Sequence, residues 1–242
     1  MRIDEWVLST GSHQQADRWH GEARRLRDLL DVVANHVAEV YGTLFVWHSE
    51  DMTAEQWGDL DAIAAEMASS CRVDDFGNPF DSIGSGGVLL GSLAGAPEEM
   101  ILSRWNAGAL DEWPFTASFR FYTRTPLEKG GARPLQDHPA AWLVSLTGGV
   151  VQAVDAATVR VGNRRLRDEL GEVRDAVKAW TVTYVPQGVD VTGLPDTLSV
   201  YPCPAPAGGS VVVADLEMAA NAPERLVGDL LLLDDRLRAR TA

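Results

Sequence analysis

The sequence predicts an α+β fold: a mainly antiparallel or mixed sheet packed with amphipathic helices, in a single domain of residues 1–242. Three observations predict it. Ala179–Ala239 reads as three short apolar runs followed by a leucine-striped helix. Ala16, Trp19, Ala23, Leu26, Leu30, Val33, Val37 and Val40 recur at steps of three and four, which places them on one face of a helix. Phe115–Tyr122 alternates apolar and polar residues, as a half-buried strand does.

In chain order, Ile3–Leu8 reads as a short first strand. Ser12 opens the long helix, with Gln15 at the capping-box position, and Gly42 ends it. Arg24, Arg25, Arg27, Asp28 and Glu39 give that helix a solvated face. A seam of this length also fits a coiled coil, but the strands that follow at once favour a core helix. Leu44–Trp47 is a strand. Thr53 and Gln56 cap a second helix, striped by Trp57, Leu60, Ile63 and Met67. From Val73 to Pro97 the chain is rich in Gly, Ser, Asp and Pro. It reads as a loop region with one short apolar piece, Val88–Leu90. Ile101–Pro114 shows no clear period.

The polar, turn-rich stretch Pro126–Pro134 marks a weak internal boundary near 126–136. Asp137 caps a helix with Pro139 in its first turn. Trp142 or Leu143, then Leu146, Val150 and Val154, form its stripe, although Gly148 and Gly149 inside it cost about 1 kcal/mol each against alanine. Asn163 caps another helix that turns Leu166, Leu170, Val173 and Val177 inward. Three strands follow: Ala179–Val185, stopped by Pro186; Thr197–Tyr201, between Pro195 and Pro202; and Ser210–Ala214, entered through Gly208-Gly209. Asn221, Pro223 and Glu224 open the last helix, with Leu226, Leu230, Leu233 and Leu237 as its stripe.

The formal net charge is −14 and the pI about 4.7. Such a surface repels nucleic acid and anionic membrane and attracts basic partners. Two cysteines, Cys71 and Cys203, make neither a disulfide framework nor a zinc pattern. The opening MRIDEWVLST lacks the layout of a signal peptide, and no apolar run approaches the length of a membrane span. These features predict a soluble, cytoplasmic protein.

Signatures of chemistry are weak. His13 and His20 lie seven residues apart, too far for a helical metal pair, and nothing resembles HExxH. Gly84-Ser85-Gly86-Gly87 is not a phosphate loop, because the lysine is missing. Ser85 and Ser92 lack the nucleophile elbow. Asp74, Asp75 and Asp81 lack the order of a calcium loop. No metal or cofactor is expected, and no catalytic residue is assigned. A carboxylate site assembled in space, as in a hydrolase, stays open as an alternative. So does a structural interaction subunit with a tryptophan patch.

Several stretches resemble a family of bacterial immunity proteins from polymorphic-toxin systems, immunity protein family 52. They are Trp180–Pro186 (WTVTYVP), Leu194-Pro195, Gly208–Val213 (GGSVVV) and Asn221–Arg225 (NAPER) leading into the leucine helix. Trp105-Asn106 and the long first helix followed by a strand ending in Trp47 resemble it too. The resemblance implies no catalysis. It implies a protein that binds and inhibits a cognate, restriction-endonuclease-like nuclease toxin in the producing bacterium, while the acidic charge and the lack of basic patches predict no direct binding of nucleic acid or membrane. On charge and composition, Asp74–Trp113 is the candidate binding region. Asp74, Asp75, Asp81, Asp111 and Glu112 would meet a basic partner, with Trp105 and Trp113 as anchors.

Overall fold

The computed structural model describes residues 6–12, 19–71, 84–95, 99–108, 115–121, 139–163, 166, 169–170 and 179–239. Nine strands are described: β1 (Trp6–Ser12), β2 (Phe45–His48), β3 (Ser85–Leu93), β4 (Glu99–Ala107), β5 (Phe115–Phe121), β6 (Thr158–Asn163), β7 (Val182–Val185), β8 (Leu198–Pro202) and β9 (Ser210–Ala214). The helices are α1 (His20–Tyr41), α2 (Leu60–Ser69), α3 (Ala140–Val154), α4 (Leu216–Asn221) and α5 (Val227–Ala239). Strand order is β2-β3-β4-β5-β1-β6-β7-β9-β8. The pairs β2–β3, β3–β4, β6–β7, β7–β9 and β8–β9 are antiparallel, and the fold class is α+β. The chain divides into two compact units. One holds residues 1–9, 121–152 and 158–242, and the other residues 10–120 and 153–157. The boundary read near 126–136 lies outside the described residues.

In the unit built on residues 10–120, α1 buries Ala23, Leu26, Leu30, Val33 and Val37, the predicted stripe, together with Leu29. Gly42 ends it in the left-handed region (φ 65°), its N–H donating to the Ala38 carbonyl at 2.8 Å. The start differs from expectation. Ser12 closes β1 and is fully buried, and α1 begins only after Trp19, whose φ is 67°. The pattern of three and four continues through Ala16 and Trp19, but periodicity alone does not say where the backbone turns helical.

The segment read as a loop contains β3, and the stretch without period holds most of β4, from Ile101 on. Their ladder runs from Ser85↔Ala107 to Gly91↔Ile101. The misreading has a physical cause. Glycines in β3 serve ring packing rather than turns. A Cβ on Gly87 would stand 2.8 Å from the Trp105 ring, and one on Gly91 would stand 2.4 Å from Phe45. Glycine in a strand often marks such close approach. The bare backbone admits the rings, and Trp47 Nε1 donates to the Leu30 carbonyl at 3.1 Å, tying β2 to α1.

The Thr53–Gln56 box is reciprocal. Thr53 N–H donates to Gln56 Oε1 at 2.8 Å, and Gln56 N–H to Thr53 Oγ1 at 3.3 Å. It closes a short 3-10 turn, Gln56–Gly58, and Asp59 caps α2 by accepting from Asp61 N–H. β5 alternates as predicted, with Phe115, Ala117, Phe119 and Phe121 buried.

In the other unit, α3 buries Leu143, Leu146, Val150 and Val154. Its unfavourable Gly148 lies against Pro204, where a Cβ would come within 2.3 Å of the ring. Asn163 is the last residue of β6 rather than a helix cap. Leu166 and Leu170 are buried and joined by a helical-turn bond, whereas Val173 and Val177 lie outside the described residues. Asn221 ends α4 instead of capping the last helix. The cap in this region is Asp215, whose carboxylate accepts from Met218 N–H at 2.8 Å. Pro223 then opens a 3-10 turn, Pro223–Leu226, that leads into α5. Leu226, Leu230, Leu233 and Leu237 are all buried in one cluster with Ala179, Val185, Leu198, Val212 and Ala214.

Two glycine substitutions test this packing. Gly91→Ala should lower stability by about 1–3 kcal/mol, because the new Cβ would collide with the buried Phe45 and Trp47 rings and force them to shift. Gly228→Ala in α5, where a Cβ meets nothing within 4 Å, should raise it by about 0.5–1 kcal/mol. Thermal melts read both. A neutral Gly91→Ala would show that the rings do not need the bare backbone.

Candidate functional site

Of the seven predicted partner-binding residues, Asp74, Asp75, Asp81, Asp111, Glu112 and Trp113 lie outside the described residues. Trp105 lies in β4, is 6% exposed, and packs on Gly87, with no hydrogen-bond partner for its indole N–H among the described residues. The ladder nevertheless relates the two flanks of this region. Ser85 pairs with Ala107, so Gly84 and Gly108 stand at the same end of β3 and β4. Both have left-handed φ, 68° and 71°, and turn the backbone out of the ladder there. Two other elements reach this end. Cys71, just past α2, bridges Ser85. Trp19, just before α1, lies where a Cβ on Gly108 would come within 3.1 Å of its ring.

The same unit carries a feature that motif searching passes over. Between Arg27 and Arg72 the chain has no lysine or arginine and nine acids. Asp31, Glu39, Glu50, Asp51, Glu55, Asp59 and Asp61 are exposed, and Asp28 and Glu66 partly so. The signal was legible in the sequence as a long gap between cations. Two arginines at the start of α1 have local acidic partners. Arg25 Nη1 reaches both carboxylate oxygens of buried Glu22 at 3.2 Å, and its Cζ lies 5.6 Å from the Phe115 ring centroid. Arg27 pairs with Asp28 at 3.4 Å. Partial burial raises the Asp31 carboxyl above its usual range. Arg27 opposes that shift and Asp28 adds to it. His20 meets Asp61 at 3.3 Å, joining the first turns of α1 and α2 across an exposed surface.

This arrangement is suited to attracting cations over a broad area. Among the described residues no group of three His, Cys, Asp or Glu is placed to hold a metal ion, and no helix is long and apolar enough to cross a membrane. Burial pushes the Cys203 thiol up, which disfavours its reactive thiolate.

No protein-family model matches the chain, and no curated protein matches it. Among solved structures, the "Pseudomonas aeruginosa T6SS protein PA0821" is similar over 98% of this chain and 76% of that one, at 11% identity and a TM-score of 0.48.

Proposed function

We propose that the chain is a non-enzymatic immunity protein that binds a basic nuclease toxin and covers the surface with which that toxin holds phosphate. The observation that carries this reading is the run of nine acids between Arg27 and Arg72 without a lysine or arginine, most of them exposed. A nuclease must present cations to its substrate. An acidic surface can occupy those cations and is steered onto them quickly. The resemblance of WTVTYVP, GGSVVV and NAPER to the immunity family supports the same reading. The working partner is a cognate toxin met in the cytoplasm of the producing bacterium, with neither nucleic acid nor membrane bound directly. The binding surface would combine the acids of residues 28–71 with Asp74, Asp75, Asp81, Asp111, Glu112 and Trp113, which flank the β3–β4 ladder in the sequence. Trp105 would support that surface from within β4.

Co-expression with the product of the neighbouring gene tests the proposal. Co-purification, with loss of that product's DNA-cleaving activity, is the expected result. A chain that leaves the nuclease active would sink it. Replacing Asp74, Asp75, Asp111 and Glu112 by their amides should slow association about tenfold at low salt and flatten its salt dependence. Trp113→Ala should speed dissociation, costing about 2 kcal/mol or more if the ring is a central anchor. Asp31→Asn separates binding from folding. The raised carboxyl pKa means that the folded state disfavours its charge. This penalty is full at neutral pH and is lost as pH falls through the folded value. The amide should therefore melt higher than the parent near neutral pH, lose that advantage on acidification, and bind the toxin more slowly.

A further inference from the structure

Among the described residues, the sheet ends at two strands, β8 and β2. On an end strand, alternate residues direct their N–H and C=O away from the ladder, where another chain can pair with them. In β8, Asp215 N–H donates to Thr197 and Cys203 N–H to Gly209, so Leu198, Val200 and Pro202 are the outward residues. Leu198 N–H is used by the Pro195 carbonyl, and Pro202 has no N–H. Only Val200 offers a donor, so this edge is blunted.

The edge at β2 is different. Ala94 N–H donates to the Leu44 carbonyl at 2.7 Å, and the register with β3 turns Val46 and His48 inward to the ladder. Phe45 and Trp47 therefore present both N–H and C=O outward, with no backbone partner among the described residues. The strand cannot rotate to satisfy them, because both side chains are buried and Trp47 is tied to Leu30. β2 holds no proline and no lysine or arginine, the usual edge guards. Leu44 beside it is 73% exposed. Acids flank it in the chain. Glu39 lies near the end of α1. Glu50 and Asp51 form the tip of a turn closed by Met52 N–H on Ser49 Oγ at 3.0 Å.

We propose that β2 is a docking edge on which an extended, basic segment of the partner adds to the sheet as a further strand. Its backbone pairs with Phe45 and Trp47. Its cations meet Glu39, Glu50 and Asp51, and an apolar side chain covers Leu44. Backbone pairing supplies affinity and the flanking acids select the partner. The identity of the partner as a nuclease rests on the immunity reading; the edge itself does not.

Site-resolved amide exchange on the full chain tests this, with the neighbouring gene's nuclease, with a synthetic alternating Arg-Val peptide, and with its Glu-Val counterpart. With the nuclease and the Arg-Val peptide, exchange at Phe45 and Trp47 should slow by about tenfold or more, while Val200 on β8 stays unchanged. The Glu-Val peptide should give no protection. Glu50→Lys with Asp51→Lys, both exposed, should weaken binding by about tenfold at an unchanged melting temperature. If the nuclease binds and exchange at Phe45 and Trp47 does not change, the docking edge is overturned and the immunity reading stands. If the nuclease does not bind, the immunity reading fails. The edge is then decided by the Arg-Val peptide alone: protection upholds it and its absence overturns it.

Discussion

Aromatic rings laid on bare glycine backbone set the geometry around α1. Phe45 and Trp47 lie against Gly91, and Trp105 lies on Gly87. Each ring contributes a large buried area, and the missing Cβ atoms let it approach the strand closely. Trp47 is the hub. Its ring meets Phe45 edge-on at 5.1 Å and Phe119 at 5.8 Å, and its indole N–H holds the Leu30 carbonyl in α1. The helix cannot slide along the strands without breaking that bond and opening the ring contacts. The same inward anchoring leaves the outward amides of β2 in a defined place, which is what a docking edge requires.

The other unit relies on a leucine stripe. Leu230 and Leu233 are fully buried against the strands, and the segment between β7 and β8 is strapped onto α5. Arg236 Nη1 donates to the carbonyls of Thr192 at 2.6 Å and Asp190 at 3.2 Å, and Thr197 hydrogen-bonds to Asp229. Hydrogen bonds from Thr192 hold the exposed Asp190 carboxyl below its usual range, so the turn is shaped to present both carbonyls to one guanidinium. Val189, Val191 and Leu194 pack partly against the core beneath.

A concentration of acids with few cations among them works against folding, since like charges repel and the Asp31 carboxyl is partly desolvated, with Arg27 offsetting only part of this. The buried rings and aliphatic side chains beneath α1 contribute the opposing, stabilising burial. The frame is held by apolar contacts, so the surface charge is not what holds the fold together.

Local pattern determined much of this molecule. The α1 stripe from Ala23 to Val37, its Gly42 stop, the alternation of Phe115 to Phe121, the Thr53–Gln56 box and the four leucines from Leu226 to Leu237 are readable because each depends on neighbours within a few residues. The net charge was legible too, and so was the long gap between Arg27 and Arg72. Other features depend on partners distant in sequence. Gly87 reads as loop until Trp105 is seen lying on it, and Gly148 reads as a weak helix until Pro204 fills the space beside it. Asn163 and Asn221 look like caps, but strand pairing and the end of α4 claim those positions. Which amides of β2 face outward is likewise a matter of register, set by Ala94 bonding to Leu44, and no periodicity within Phe45–His48 encodes it. Glycine and asparagine are permissive residues, so their role is decided by whatever the tertiary fold brings against them.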